Sequence, residues 1–226
     1  MPDSPFPTPV PGMNIDSSMG RRAHWKHLAD VFKSGARPES FDEAYDMVVR
    51  AGLYKSEAKQ VWDFIRGHDI RSVVEVGRNL GSGIFLMACA ARGLKRFLSV
   101  DILRWSLTDD VIPAWAEANG FDIELVACDS MNYEPDRSLK WDFVFIDGGH
   151  TGPIVTNDLE KFRGLTRYIG FHDFADRGHR NTHKRLFKDV VEAIAAARDR
   201  YGWKQVGLRG RSEIIFDTGG DDAAAH

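Results

Sequence analysis

Ten residues near the middle of the chain concentrate its chemistry: Trp141-Asp142-Phe143-Val144-Phe145-Ile146-Asp147-Gly148-Gly149-His150. An apolar run ends in a carboxylate, two glycines and an imidazole. In an open parallel sheet such a carboxylate lies at the carboxyl edge of the strands, where ligands bind. A second run, Gly170-Phe171-His172-Asp173-Phe174, ends in the same residue types. If the two runs are neighbouring strands, Asp147, His172 and Asp173 meet above the sheet. Two carboxylates and an imidazole make a divalent-cation site with open positions. The same residues also have plainer uses: a strand-end aspartate with a helix-capping histidine in the first motif, and a packed or substrate-contacting histidine beside a turn aspartate in the second.

A third stretch is Glu75-Val76-Gly77-Arg78-Asn79-Leu80-Gly81-Ser82-Gly83. Glycines at a strand-to-helix turn let the backbone bend sharply and approach a ligand. Free N–H groups at the helix start favour an anion. The spacing fails the dinucleotide fingerprint, which wants glycine where Asn79 stands. No Gly-Lys-Ser/Thr ending marks a phosphate loop. What remains is E-x-G-x-x-x-G-x-G, which packing alone also explains. Asp101 ends the next apolar run, and a carboxylate there can accept both hydroxyls of a ribose. Cys128-Asp129-Ser130 follows a third run, where Asp-Ser is equally a helix cap.

Positioning these residues on one edge requires a particular order of elements. Apolar residues at helical spacing predict helices over 21–33, 40–50 and 56–67, the second opened by a Ser40/Glu43 capping box. From residue 71 short apolar runs alternate with helical patterns. Strands are expected at 72–76, 97–100, 123–127, 143–146 and 168–172, with helices at 82–92, 109–119 and 154–163. That rhythm is a βαβ series, hence an α/β fold with a doubly wound, Rossmann-like parallel sheet. A helix over 184–200 and two strands, 203–207 and 213–216, separated by Arg209-Gly210-Arg211, add a terminal antiparallel hairpin. The expected organisation is a Pro-rich tail (1–20), a helical cap (21–68), the α/β domain (69–218) and an acidic tail (219–226).

Composition bounds the function class. The chain has 226 residues, of which 43% are hydrophobic, enough for a sizeable core. The apolar run 83–91 is far short of the ~20 residues that span a bilayer. No secretory leader opens the chain, and two cysteines, Cys89 and Cys128, make no disulfide framework, so a reduced, cytoplasmic setting is expected. A net charge of −3 disfavours a general nucleic-acid binder. The stretch 177–211 is nevertheless rich in Lys and Arg; its 177–185 part suits an anionic substrate group or a solvated face.

Over roughly residues 70–217 the motifs and their order resemble class I S-adenosylmethionine (SAM) methyltransferases. Within that class, Phe145-Ile146-Asp147-Gly148-Gly149-His150 and Phe171-His172-Asp173 are similar to the small-molecule O-methyltransferase and cephalosporin-hydroxylase-like branch, and parallel the cation-dependent catechol and caffeoyl-CoA enzymes. The resemblance implies SAM as cofactor and a small hydroxylated substrate. It implies that the Gly81-Ser82-Gly83 amides take the methionyl carboxylate, with Gly77 in the loop. Glu75 would orient that loop or the amino group. Asp101, with the adjacent Ile102, would take the ribose, and Asp129 and Ser130 the adenine. It implies a divalent cation, Mg²⁺ or Mn²⁺, on Asp147, His172 and Asp173. Where the family has a pair of Asp and Asn, this chain has His172-Asp173, which also admits Fe²⁺ or Zn²⁺. His150 stands where the catechol enzymes carry a lysine base. Catalytic roles then fall to His150 and Asp147. Alternatives are a metal-independent methyltransferase using His150 and His172, or a nucleotide-binding protein without methyl transfer. The N-terminal helices are expected to form a lid or a contact in a homo-oligomer.

Overall fold

A computed structural model describes residues 19–48, 55–174, 187–207 and 213–219. The expected tails, the 177–185 segment and the Arg209-Gly210-Arg211 turn lie outside the described residues or at their margin. Among the described residues no helix is long and apolar enough to cross a membrane.

The strands are β1 (Ser72–Val76), β2 (Arg96–Asp101), β3 (Asp122–Ala127), β4 (Trp141–Ile146), β5 (Thr166–Phe171), β6 (Lys204–Gln205) and β7 (Ile214–Asp217). They form one sheet in the order β3-β2-β1-β4-β5-β7-β6. The first five are parallel, and β7 runs antiparallel to both β5 and β6. The doubly wound α/β expectation with a terminal hairpin therefore holds. The central strand Ser-Val-Val-Glu-Val is buried at every position, as a strand covered on both faces must be. At the free edge, β3 carries exposed Asp122 and Glu124, which discourage pairing with another chain.

The first three helices are α1 (Met19–Lys33), α2 (Phe41–Val48) and α3 (Lys55–Gly67). They are built into one face of the sheet together with α4 (Ser82–Ala90). The continuous apolar run 83–91 is explained by this sandwich: α4 lies between the sheet and the N-terminal helices, so almost every side chain is buried. The helix expected over 109–119 is α6 (Ile112–Ala118), and a one-turn helix that was not expected, α5 (Ser106–Asp109), precedes it. Pro113 lies in the first turn of α6, where a missing N–H costs nothing. Phe32, Phe85 and Trp115 lock this face with ring centroids 5.1–5.7 Å apart. The other face carries α7 (Gly152–Phe162) and a final helix, α8 (Lys188–Tyr201), over a second core of Val76, Val144, Leu159 and Phe171.

Candidate active site

Strand register decides which side chains share an edge. Val76 pairs with both Val100 and Ile146, and Ile146 pairs with Phe171. The ladder continues one residue past the strands. Gly77 N–H donates to Val100 O, Asp147 N–H to Val76 O, and His172 N–H to Ile146 O, at 2.8–3.0 Å. Gly77, Asp101, Asp147 and His172 therefore occupy one row at the carboxyl edge of four adjacent strands. Gly77 is required there: its φ is +95°, and a Cβ would lie 2.1 Å from the Asp147 carbonyl oxygen.

The glycine turn is held by Arg78, whose side chain is fully buried. Its Nε and Nη2 donate to the two oxygens of Asp109 at 3.0 and 2.8 Å, and Nη1 donates to Ser99 O. This bidentate pair ties the turn to α5. Asn79 adopts φ +47°. Its N–H donates to Asp101 Oδ2 at 2.7 Å, while Leu103 N–H donates to Oδ1 at 2.8 Å. Each Asp101 oxygen thus accepts one backbone N–H, Oδ1 also accepts the Trp105 indole N–H at 3.4 Å, and Oδ2 keeps further acceptor capacity. Burial raises the pKa of Asp101. Ile102 beside it is 52% exposed, unusual for a large apolar side chain in this chain. Glu75 is buried beneath the turn and accepts from Ser99 Oγ at 3.3 Å. Burial, then the nearby Asp147 carboxylate, pushes its pKa well above the ordinary carboxylate range. Gly83 makes room for it, since a Cβ would lie 1.9 Å from Glu75 Oε1. Ser82 Oγ is buried without a hydrogen-bond partner, and α4 begins without a side-chain cap.

The fold, with β7 inserted antiparallel between β5 and β6, aligns over most of its length with solved structures. Cofactor-bound Rv0187 from MTB aligns over 92% of this chain and 93% of its own, with TM-score 0.58 and 12% identity. A proposed caffeoyl-CoA O-methyltransferase from Staphylococcus aureus aligns over 86% and 99%, with TM-score 0.56 and 13% identity. The Podospora anserina methyltransferase PaMTH1, bound to S-adenosylhomocysteine, aligns over 93% and 98%, with TM-score 0.55 and 10% identity. The chain has the class I methyltransferase fold. No family model and no curated protein matches it in sequence.

In this methyltransferase fold the β1 turn and the β4 and β5 tips face one cleft. Asp173 follows β5 in a left-handed conformation, φ +63°, which costs about 1–3 kcal/mol for a side-chain-bearing residue and recurs at functional sites. Its Oδ2 accepts a hydrogen bond from His150 Nδ1. Asp147, His150 and Asp173 bring ligand atoms within 4.8 Å of one another. His172 Nδ1 lies 3.1 Å from Asp147 Oδ1 and 3.1 Å from Asp173 Oδ1, aligned on neither alone. Its Nε2 faces the other way, 3.7 Å from Glu57 Oε2 and 3.6 Å from Glu213 Oε1. Burial disfavours a charged His172, but the Asp147, Asp173 and Glu57 carboxylates outweigh it and raise its pKa strongly. Burial likewise raises Asp173, and the two imidazoles reverse the effect, leaving its pKa low. The hydrogen bond to Asp173 raises His150.

Asp129 and Ser130 follow β3 at the carboxyl edge of the sheet. Asp129 Oδ1 accepts Met131 N–H at 2.9 Å, so its carboxylate shapes the turn as an Asx cap would. The backbone here is gripped by Lys161, which donates to Ser130 O, Met131 O and Tyr133 O at 2.6–2.9 Å. Lys161 and Arg78 were not legible as site residues. Arg78 gave a faint signal, a long cation inside a glycine turn; Lys161, on a helix with Glu160 beside it, gave none. Glu57 and Glu213 were also missed. Glu57 stands in line with Val61 and Ile65 on the apolar face of α3, and an acid in that stripe is a readable anomaly. Glu57 and Glu213, with Asp147 and His172, line an open cleft whose other walls include Val61, Trp62, Leu86, Met87 and Phe145.

Proposed function

We propose that the chain is a SAM-dependent O-methyltransferase of a small hydroxylated molecule, with a divalent cation assisting. The observation that carries this reading is the single row of Gly77, Asp101 and Asp147 in register, with Asp173 beside it. The unpartnered Ser82 Oγ and the uncapped start of α4 suit an anionic group, the methionyl carboxylate of the methyl donor. Asp101, with acceptor capacity left, suits a ribose, and exposed Ile102 suits an adenine face. Asp129 and Ser130, past the end of β3 where Lys161 fixes the backbone, suit the adenine amine.

The donor set of Asp147 and Asp173 fits a hard divalent ion. Mg²⁺ and Mn²⁺ commonly take one or two carboxylates and keep open positions. A cation bound there lowers the pKa of a ligating hydroxyl and fixes its position. His172, expected from sequence as a third ligand, presents Nδ1 to the Oδ1 atoms of both carboxylates, a contact that orients them. His150, hydrogen-bonded through Nδ1 to Asp173 and half exposed, keeps Nε2 as a proton acceptor. In the transfer the substrate oxygen attacks the sulfonium methyl in line. The C–O bond forms, the C–S bond breaks with its electron pair going to sulfur, and the hydroxyl proton goes to His150. The apolar cleft walls suit an aromatic or otherwise apolar substrate body. The Lys/Arg-rich 177–185 segment, following Asp173 in the chain, supports an anionic substituent.

A metal-independent reading rests on the same His150–Asp173 pair, which is the base-and-orienter arrangement of nucleophile activation. Incubation with methyl-labelled SAM and a panel of diols and phenols, with and without EDTA, separates the two. Label transfer abolished by EDTA and restored by Mg²⁺ or Mn²⁺ supports cation assistance; EDTA-insensitive transfer supports the histidine mechanism. No transfer to any acceptor, together with no SAM binding by calorimetry, overturns methyl transfer.

A further inference from the structure

We infer that Glu57, His172 and Glu213 form a second cation centre, for a divalent transition ion of the Zn²⁺ class, on the side of His172 turned away from Asp147 and Asp173. His172 Nδ1 sits 3.1 Å from two carboxylate oxygens, so the ring proton belongs there, shared between them. Metal-bound histidines hold their second ring N–H on a carboxylate in this way, which fixes the ring and makes the other nitrogen a better donor. The other nitrogen, Nε2, faces the cleft between Glu57 and Glu213, and a cation there would take the place of its proton.

The spacing around Nε2 is that of a coordination shell. Glu57 Oε2 at 3.7 Å and Glu213 Oε1 at 3.6 Å are too far for hydrogen bonds. Two ligands on one tetrahedral ion with bonds of about 2.0–2.2 Å stand about 3.4 Å apart. All three donor atoms lie within 4.8 Å of one another. They come from α3, the β5 tip and the start of β7, so an ion there would tie the N-terminal helices to the terminal hairpin. Glu57 and Glu213 are 5% and 3% exposed. The same three residues line the cleft with Trp62 and Met87, leaving the fourth position open to a ligand. One imidazole and two carboxylates with an open position suit Zn²⁺, Co²⁺ or Fe²⁺ better than Mg²⁺, which prefers an all-oxygen octahedron. The centre does not depend on the methyl-transfer reading and is tested without turnover.

The full chain is stripped with chelator and titrated with Co²⁺ while the visible spectrum is followed. A tetrahedral N,O site gives intense d–d bands, whereas an octahedral carboxylate site gives weak ones. One equivalent of Co²⁺ with intense bands is expected for the native chain. Glu57→Gln and Glu213→Gln should each weaken this uptake about a hundredfold or more, and His150→Ala, which disrupts only the Asp147 cluster, should leave it within about threefold. Circular dichroism establishes that each variant is folded. Anomalous scattering from native crystals soaked in Co²⁺ locates the ion without any variant. The inference is overturned if the native chain takes up no Co²⁺, if the intense bands persist in both glutamine variants, if they vanish in His150→Ala, or if the anomalous peak lies away from Glu57, His172 and Glu213.

Discussion

The carboxyl edge of the sheet has two halves of opposite construction. On the β1–β2–β3 side, backbone geometry makes the surface: Gly77 yields to the Asp147 carbonyl, Asn79 and Leu103 donate to Asp101, and a buried Arg78–Asp109 pair clamps the turn. Its charges are engaged before any ligand arrives. On the β4–β5–β7 side, side chains make the surface. Asp147, Asp173, Glu57 and Glu213 surround His172, with His150 at the rim. The first half is a mould and the second a charged cluster. A mould recognises one constant ligand, whereas a cluster of carboxylates and imidazoles moves protons and holds ions. This division suits the proposed function, in which a constant methyl donor and a variable acceptor occupy separate places.

If the division is right, damage to each half should differ in kind. The largest effect is expected from His150→Ala: kcat falls about 10²- to 10⁴-fold, the range for a positioned general base, while SAM affinity by calorimetry changes less than about threefold. Equal kinetics would remove His150 from the mechanism. Arg78→Ala should act on the mould instead. It leaves Asp109 buried without its cation, and loss of one partner from such a pair costs about 3–5 kcal/mol in urea unfolding. SAM affinity should fall with it; a change below about 1 kcal/mol would show that the turn does not lean on this pair. Asp101→Asn should weaken SAM about 10- to 100-fold, the value of hydrogen bonds to a charged group, with kcat at saturation little changed. A kcat loss without an affinity loss would blur the two halves.

The smallest effect concerns Glu75, and its sign follows from linkage. Its folded-state pKa is raised by burial and by Asp147, so the folded chain holds a proton that the unfolded chain releases as pH rises past the ordinary glutamate value. The stability it contributes is present in acid and is lost as pH climbs towards the folded pKa. Glu75→Gln should therefore raise the melting temperature at about pH 8 and leave it almost unchanged at about pH 4. A higher melting temperature at both values would point to packing rather than to the proton.

How much of this was legible follows from the range of each interaction. Strands β1 to β5 and the turn at Gly77 announce themselves through local alternation of apolar runs and glycines, because burial on both faces demands such runs. Asp147 and Asp173 could be paired in advance, since strand tips of a doubly wound sheet share an edge. The helix expected over 109–119 is α6, whereas the four-residue α5 before it was not legible, because one turn has too few positions to show helical spacing. The N-terminal helices were expected as a lid or contact; they form a face of the core, because α4 is apolar all round and must be covered.

The sequence by itself determined the element order, the carboxyl-edge placement of Asp101 and Asp147, and the residue types available for chemistry, because these depend on neighbours in the chain and on one strand-pairing rule. Only the tertiary structure decided which way His172 faces, that Glu57 and Glu213 stand on its far side, and that Arg78 and Lys161 brace the turns. Those contacts join residues more than twenty positions apart, some more than a hundred, and are set by how helices and hairpin close over the sheet, a packing choice that no local pattern encodes.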